Sequence, residues 1–282
     1  KLSADSTAST ADAFTAEMMD AVRDILSVTP SFAPPINVLH RLLGRMEAAL
    51  ARGAAVGELQ IEIRDASQDF LSWAESALER VAQYGAEIVN DGDTVFMYSM
   101  SSTVWRMLKR AKEQGKAFRV VVTESRPGNE GLWTVNEMHK HNIPVAVSID
   151  ATIGELVPQS NVVFVGADAI SSTGACFVKV GSYPAALVAR VHGVPCYVAA
   201  DTLKVDSSTL LGLPFRGEPI PRRDVLSQDY PASVEVIGDL FESVPPDLVT
   251  AIITEMGLFS PASVINVMWH MKLSSQLNEL IP

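Results

Sequence analysis

Cysteine and basic residues are scarce in this chain of 282 residues. Its two cysteines are too few for a disulfide framework or a zinc cluster, and such usage is typical of a reducing, cytoplasmic compartment. The 22 Lys and Arg residues are outnumbered by 33 Asp and Glu residues, which gives a formal net charge of −11. Because affinity for nucleic acids comes from Lys and Arg on phosphates, we expect no direct nucleic-acid binding.

Long apolar runs and nucleotide-binding motifs are also missing. No run approaches the roughly 20 apolar residues that span a bilayer, so we expect no membrane span. The stretch Lys1–Thr10 lacks the apolar core of a signal peptide, and without an initiator Met the presence of an upstream segment stays open. Without a G-x-G-x-x-G or G-x-x-x-x-G-K-S/T sequence, no cofactor is expected. His139 and His141 do not share a helix face, and no metal site is predicted.

Two kinds of hydrophobic pattern divide the chain. Helical spacing predicts three helices, over residues 14–26, 37–51 and 59–84. After Gly85, short apolar runs alternate with helical segments, which predicts a parallel sheet covered on both faces. The fold class is therefore α/β, with a helical domain over 1–90 and a Rossmann-like ligand-binding domain over 91–282. The predicted strands are Thr94–Tyr98, Arg119–Thr123, Pro144–Ile149, Val162–Val165 and Cys196–Ala200, with helices such as Ser102–Gln114 and Tyr183–His192 between them.

Polar side chains follow these predicted strands. In parallel α/β folds, ligands bind outside the carboxyl ends of the strands, so we expect such side chains to surround one small anionic ligand. Asp168, between small residues, is the candidate acid or base, with a turn or helix-capping aspartate as the alternative. The candidates for holding phosphate at these ends are Ser99, Ser101, Ser102, Arg126 and Lys204.

Each phosphate candidate has a structural alternative. The three serines precede a predicted helix, where they either bind phosphate or cap the helix. Arg126 offers a planar fork for phosphate oxygens, or an ion pair with Glu124 or Glu130. Lys204 is a second cation at this rim or an ordinary exposed lysine. Lys179 lies between apolar residues and requires an anionic partner or ligand, since an unpaired buried charge is too costly.

Ordered motifs across residues 92–261 resemble one known superfamily. It comprises the regulatory subunits of translation initiation factor 2B, methylthioribose-1-phosphate isomerase and ribose-1,5-bisphosphate isomerase. The segments that carry the resemblance are Ser99–Val104, Val122–Pro127, Gly166–Ile170, Thr173–Ser182, Asp201–Lys204 and Val244–Gly257.

The resemblance implies roles for several of these residues. In the isomerase members, a Cys after the first strand and the Asp of a Gly-Ala-Asp motif face the sugar carbons, and an Asn-Lys pair helps to hold the ligand. The matching Asp and Lys are Asp168 and Lys179, whereas Ser99 stands at the Cys position and Val178 at the Asn position. A serine gives up its proton far less readily than a thiol. Cys176 is expected to be a buried, inert thiol rather than a relocated nucleophile.

The residues and the resemblance leave two functions open. The first is a sugar-phosphate isomerase that converts an aldose 1-phosphate into a ketose phosphate, with Asp168 as acid and base and Ser99, Arg126 and Lys179 placing the substrate. The second is a non-catalytic subunit, similar to initiation factor 2B, that binds a sugar phosphate or a nucleotide. The resemblance implies a homodimer or a higher even-numbered oligomer in either case, with Pro245–Ile265 as the candidate interface.

Overall fold

The computed structural model of the protein describes residues 2–28, 33–215, 217–227, 229–269, 271, 273–278 and 280. The chain divides into two compact units, Lys1–Ser76 with Val267–Pro282, and Ala77–Asn266. The predicted domain boundary at residue 90 stays a prediction, and the second unit takes in residues on both sides of it.

Helices form where the sequence repeats apolar residues at helical spacing. The three predicted long helices are present and begin a few residues earlier than the apolar pattern predicts. The first turns of α3 and α4 contain Pro34, Pro35 and Gly57, which usually interrupt a helix but are tolerated at its start. No helix in the described ranges combines the length and the apolar character that crossing a membrane requires. The helices are α1 (Leu2–Asp5), α2 (Ala11–Val28), α3 (Ala33–Leu50), α4 (Val56–Ile88), α5 (Ser102–Glu113), α6 (Glu130–Lys140), α7 (Ile153–Leu156), α8 (Ser182–His192), α9 (Arg222–Val225), α10 (Ile265–Trp269) and α11 (Ser275–Asn278).

The first unit has an apolar core of its own. Phe14 and Met18 of α2 pack with Leu43 and Met46 of α3, and all four side chains are buried. Leu277 of α11 belongs to the same cluster. This unit is helical, as the spacing predicts.

The second unit contains the expected parallel sheet. The described strands of this sheet lie in the order β10-β9-β7-β4-β1-β2-β3, all parallel except β10, which runs antiparallel to β9. The predicted strands are confirmed nearly to the residue, whereas β9 and β10 were not predicted. The strands of this sheet are β1 (Thr94–Met97), β2 (Arg119–Thr123), β3 (Val145–Ser148), β4 (Val162–Gly166), β7 (Cys196–Ala199), β9 (Ala251–Thr254) and β10 (Gly257–Phe259).

Apolar side chains fix the crossover helices on this sheet. Val95 and Met97 of β1 pack with Val104 and Met107 of α5 in one buried cluster, which also contains Met138 of α6. Phe96 and Val163, which alternate with the residues of this cluster, are also fully buried, so the central strands are covered on both faces and are apolar at successive positions. The α/β class is therefore confirmed.

A second, antiparallel sheet was not predicted. It consists of β5 (Ala169–Ile170), β6 (Cys176–Lys179) and β8 (Phe241–Val244), in the order β5-β6-β8. Its strands are too short to show a period, and β6 and β8 pair across a long stretch of chain, with Cys176 opposite Val244. This sheet places Lys179 at the end of β6.

Candidate active site

The ends of β1 and β4 lie side by side at the middle of the main sheet. The chain continues from β1 to β2 on one side, whereas β4 lies on the other side, so this is the point where the strand order reverses. Such a point is where parallel sheets open a crevice for ligands. The two loops touch, because a Cβ atom at Gly166 would overlap with the Oγ atom of Ser101. The sequence needs glycine at this position for that close approach.

The three serines after β1 have different contacts. Ser101 caps α5, since its Oγ accepts a hydrogen bond from the Val104 amide at 3.3 Å. Ser102 is exposed in the first turn of that helix. Ser99 has a φ of 60°, and its amide donates to the Oγ of Ser125 at 2.9 Å. Within the described residues no hydrogen bond involves the Ser99 hydroxyl, so no base activates it.

The loop after β2 is held by a carboxylate that follows the neighbouring strand, β3. Asp150 accepts hydrogen bonds from the amides of Ser125 at 2.9 Å and Arg126 at 2.7 Å. The guanidinium of Arg126 donates to the backbone carbonyl of Asp224 at 3.0 Å. It forms no ion pair with Glu124 or Glu130 among the described residues. Ser125, like Ser99, lies at positive φ, so both strand ends carry backbone strain.

Lys179 has the anionic partner that its apolar neighbours require. Its Nζ atom lies 2.5 Å from Oε1 of Glu130, and the two side chains are only 11% and 22% exposed. Glu130 is the first residue of α6, where the helix dipole favours a negative charge. Its other oxygen, Oε2, is fully buried and has no hydrogen-bond partner among the described residues. Glu130 is therefore held mainly by its ion pair with Lys179.

Asp168 and Lys204 approach each other across neighbouring strand ends. The Oδ1 atom of Asp168 lies 3.6 Å from Nζ of Lys204, and the side chain of Asp168 is 42% exposed. The structure thus brings together a carboxylate that follows β4 and a cation that follows β7. Lys204 thus lies at the predicted rim and faces a carboxylate there, and its role in holding phosphate stays a prediction.

Two further carboxylates lie beside this pair. Burial raises the pKa of Asp201, and the nearby charge of Glu255 adds to this, while Lys204 opposes it. Glu255 is buried and accepts hydrogen bonds from the amide of Thr202 at 3.0 Å and from its hydroxyl at 2.5 Å. Glu255 therefore orders the end of β7.

Neither cysteine supplies a nucleophile. Cys176 and Cys196 are unpaired and buried. Burial raises the pKa of Cys176 far above its usual range and that of Cys196 to about 12, so both remain thiols at neutral pH. A buried thiol that stays protonated is a poor nucleophile, which argues against a relocated catalytic thiol at Cys176.

The sequence analysis missed Tyr98 and Glu242. Tyr98 ends the apolar run of β1, so the sequence predicts a core residue. Its side chain is only 3% exposed. Its hydroxyl lies against the backbone of Gly181, where a Cβ would overlap with it. Glu242 accepts hydrogen bonds from the amides of Gly181 and Tyr183, both at 2.7 Å, and so fills the N-terminus of α8. The only sequence signal for Tyr98 is its place directly before Ser99.

Comparisons with known proteins give the chain its family. The model of the initiation factor 2 subunit family matches residues 1–261. A protein of Thermococcus kodakarensis named ribose 1,5-bisphosphate isomerase is 32% identical over 93% of this chain and 83% of its own length. A Pyrococcus horikoshii protein named putative translation initiation factor eIF-2B subunit 2-like is 31% identical over 86% of this chain and 81% of its own.

A solved structure supports the same assignment. The crystal structure of the Pyrococcus horikoshii translation initiation factor eIF-2B superimposes with a TM-score of 0.75 at 28% identity, over 94% of this chain and 88% of that one. The motifs at the strand ends, the fold and the family model agree. The chain belongs to the initiation factor 2 subunit family.

Proposed function

We propose that this protein is a sugar-phosphate isomerase that converts an aldose 1-phosphate into a ketose phosphate. The observation that carries the proposal is Asp168, a solvent-accessible carboxylate at the end of β4 that faces the cation of Lys204 across the strand ends. Similarity to proteins named ribose 1,5-bisphosphate isomerase, at 32% identity, supports the same reaction class.

The reaction needs proton transfers and no co-reactant. The bond between C1 and the ring oxygen breaks, and the ring oxygen takes a proton. C2 loses its hydrogen, C1 gains one, and the C2 hydroxyl loses its proton to become a carbonyl. The phosphate stays on C1 throughout. Groups that accept and donate protons at fixed positions are therefore sufficient for catalysis.

In this proposal Asp168 accepts and returns the proton, and Lys204 balances its charge. Lys179 and Arg126 orient the substrate, and Ser99, Ser101 and Ser102 line its approach to α5. Both cysteines are buried thiols and Ser99 has no base beside it in the described residues, so the accessible carboxylate of Asp168 is the proton carrier in this proposal. A carboxylate suits this step if its environment keeps it accessible to the substrate.

The second candidate is a non-catalytic subunit that binds a sugar phosphate or a nucleotide. Ser99 favours it, because a hydroxyl without a base stands where the isomerases have a thiol. The same pocket then senses a ligand or contributes to an assembly. A reducing cytoplasm fits either function, since both cysteines are unpaired.

Phosphorus and carbon NMR with ribose 1,5-bisphosphate and other aldose 1-phosphates distinguishes the two. The proposed isomerase produces a ketose signal that grows with enzyme concentration. Ligand-induced stabilisation without any product identifies the binding subunit instead. If neither a sugar phosphate nor a nucleotide binds and no sugar phosphate reacts, both functions are wrong.

A further inference from the structure

Glu255 is a buried carboxylate at a fixed place in the main sheet. It lies in the two-residue turn between β9 and β10, and its exposed fraction is 5%. Thr254 and Gly257 pair on either side of this turn, and the Thr254 hydroxyl donates to the Gly257 carbonyl at 3.0 Å. Among the described residues no Lys, Arg or His forms an ion pair with Glu255. A buried carboxylate without a cation is costly unless hydrogen bonds replace its water, so its donors decide whether it is tolerated.

Both carboxylate oxygens of Glu255 bind a single residue, Thr202. The Oε2 atom accepts from the Thr202 amide at 3.0 Å, and the Oε1 atom accepts from its hydroxyl at 2.5 Å. Hydrogen bonds to a carboxylate are about twice as strong as those between neutral groups. Thr202 is itself buried, so water competes little for these bonds. Thr202 is therefore fastened at two points to a turn 53 positions further along the chain.

Thr202 begins a short helical turn, Thr202–Lys204, which ends in the cation of the candidate site. The turn is closed by the Lys204 amide, which donates to the Asp201 carbonyl at 3.0 Å. The place of Thr202 therefore sets the place of the Lys204 backbone. Because a lysine side chain is a flexible four-carbon stem, this backbone position decides what its ammonium can reach. In the structure it reaches the carboxylate of Asp168, at 3.6 Å.

We propose that Glu255 is a positioning residue of the isomerase, which acts through Thr202 to hold the ammonium of Lys204 opposite Asp168. This inference rests on the proposed function and deepens it, because Asp168 is the proton carrier there. A cation that is already in place when Asp168 exchanges a proton needs no rearrangement during the reaction. Glu255 thus contributes to turnover from a buried position, without contact with the substrate.

A double-mutant cycle separates this role from a purely structural one. Turnover of ribose 1,5-bisphosphate, followed by NMR, gives kcat and KM for the wild type, Glu255→Gln, Lys204→Met and the double variant. Glu255→Gln keeps the size of the side chain but replaces an acceptor by a donor, which the Thr202 amide cannot bind. We expect kcat to fall about tenfold with little change in KM, since small misplacements of catalytic groups have effects of up to about 10²-fold. In the Lys204→Met background the same exchange should lower kcat no further, because the cation that Glu255 positions is gone.

Glu47→Gln is the matched control. Glu47 also accepts from a hydroxyl and a backbone amide at the start of a short helix, those of Ser274 at 2.6 Å and Gln276 at 3.0 Å. It belongs to the first unit, so its exchange should leave kcat unchanged.

Two variants of Thr202 give an arm in which Glu255 stays in place. Thr202→Val has the shape of threonine but lacks the hydroxyl, so kcat should fall. Thr202→Ser keeps the hydroxyl and should retain kcat. This pair decides the question if Glu255→Gln does not fold.

Several results would contradict the positioning role. A wild-type kcat in Glu255→Gln, or equal kcat in the two Thr202 variants, would overturn the inference alone if the wild type turns over the sugar phosphate. An equal fall in kcat from Glu255→Gln with and without Lys204 would mean that Glu255 supports the fold rather than the cation, and would also overturn it. A wild type without turnover would overturn the proposed function together with this inference.

Discussion

The carboxylate of Asp168 lies 3.6 Å from the ammonium of Lys204, and both side chains reach solvent. An ion pair this exposed contributes about 0–1 kcal/mol to stability, so its presence says little about folding. Its position says more, because it lies at the end of β4 beside the point where the strand order reverses. A substitution at Asp168 can therefore separate chemistry from stability.

Asp168→Asn should abolish isomerisation and spare binding. Removing a general acid or base typically lowers kcat by about 10²–10⁴-fold, whereas the amide keeps the size of the side chain. We expect the free energy of unfolding to change by less than about 1 kcal/mol. Turnover by NMR, ligand affinity by calorimetry and chemical denaturation check the three parts.

Glu113→Gln is the control for that variant, because it also removes a carboxylate from exposed ion pairs, with Lys109 and Arg110 on α5. It should leave turnover unchanged. If Asp168→Asn unfolds the protein, or retains full turnover, the assignment of Asp168 as the proton carrier is wrong.

Gly166→Ala should disturb the contact between the two central loops. The added methyl overlaps with Ser101, so the cap of α5 must move, at an expected cost of about 1–3 kcal/mol. Adding Ser101→Gly to this variant frees the space and should recover part of the loss. Thermal denaturation of the single and double variants measures the coupling, and strictly additive losses would show that the two residues do not interact.

Much of the main sheet could be predicted because its strands are short apolar runs that need no distant partner to be recognised. Asp168 and Lys204 could be placed at one edge for the same reason, since parallel strands end together. Lys179 could be predicted to need an anion, but not to find Glu130, because the two residues are 49 positions apart. Contacts between residues so far apart in the sequence are set by tertiary packing.

Local sequence patterns predict neither the small antiparallel sheet nor the surroundings of Tyr98. The pairing of Cys176 with Val244 depends on a long loop returning to β6, and two-residue β5 shows no pattern. Tyr98 ends an apolar run, so the sequence predicts an ordinary core residue. Only the folded chain brings carboxylates from distant positions close enough to act on its hydroxyl. The guanidinium of Arg126 donates to the backbone carbonyl of Asp224, and no sequence pattern predicts a contact with a distant backbone group.

Ser99→Gly should stabilise the protein by about 1 kcal/mol. Ser99 has a φ of 60°, which costs a non-glycine residue energy, and its hydroxyl makes no hydrogen bond in the described part of the chain. If carboxylates carry the protons, turnover should also persist. Ser125→Gly, at a φ of 59°, is the contrasting variant, since it relieves strain but removes the acceptor of the buried Ser99 amide. A gain in both variants, seen by chemical denaturation, would contradict this account.

Light scattering at micromolar concentration should show a dimer or a higher even-numbered oligomer. The candidate interface Pro245–Ile265 includes β9, which is interior to the sheet, and the edge strand β10. Leu258 of β10 is exposed, as is Met256 in the turn before it. Exposed apolar side chains beside an edge strand are costly in a monomer. Leu258→Lys should therefore weaken association, and a monomeric wild type would rule the interface out.

Asp201→Asn should stabilise the protein near neutral pH and not in acid. Because the pKa of Asp201 is raised in the folded state from its ordinary value of 3.8, the unfolded chain ionises first as the pH rises, and stability is lost above that value. An amide cannot ionise but still accepts from the Leu203 amide, now 3.0 Å from the carboxylate. We expect a gain in stability at pH 7 that shrinks towards pH 4. Asp206→Asn is the control, because Asp206 also caps a short helix with its carboxylate. It measures how much stability changes when such a carboxylate is replaced by an amide. A gain for Asp201→Asn that stays constant with pH in denaturation curves would mean that burial of the charge is not its cause.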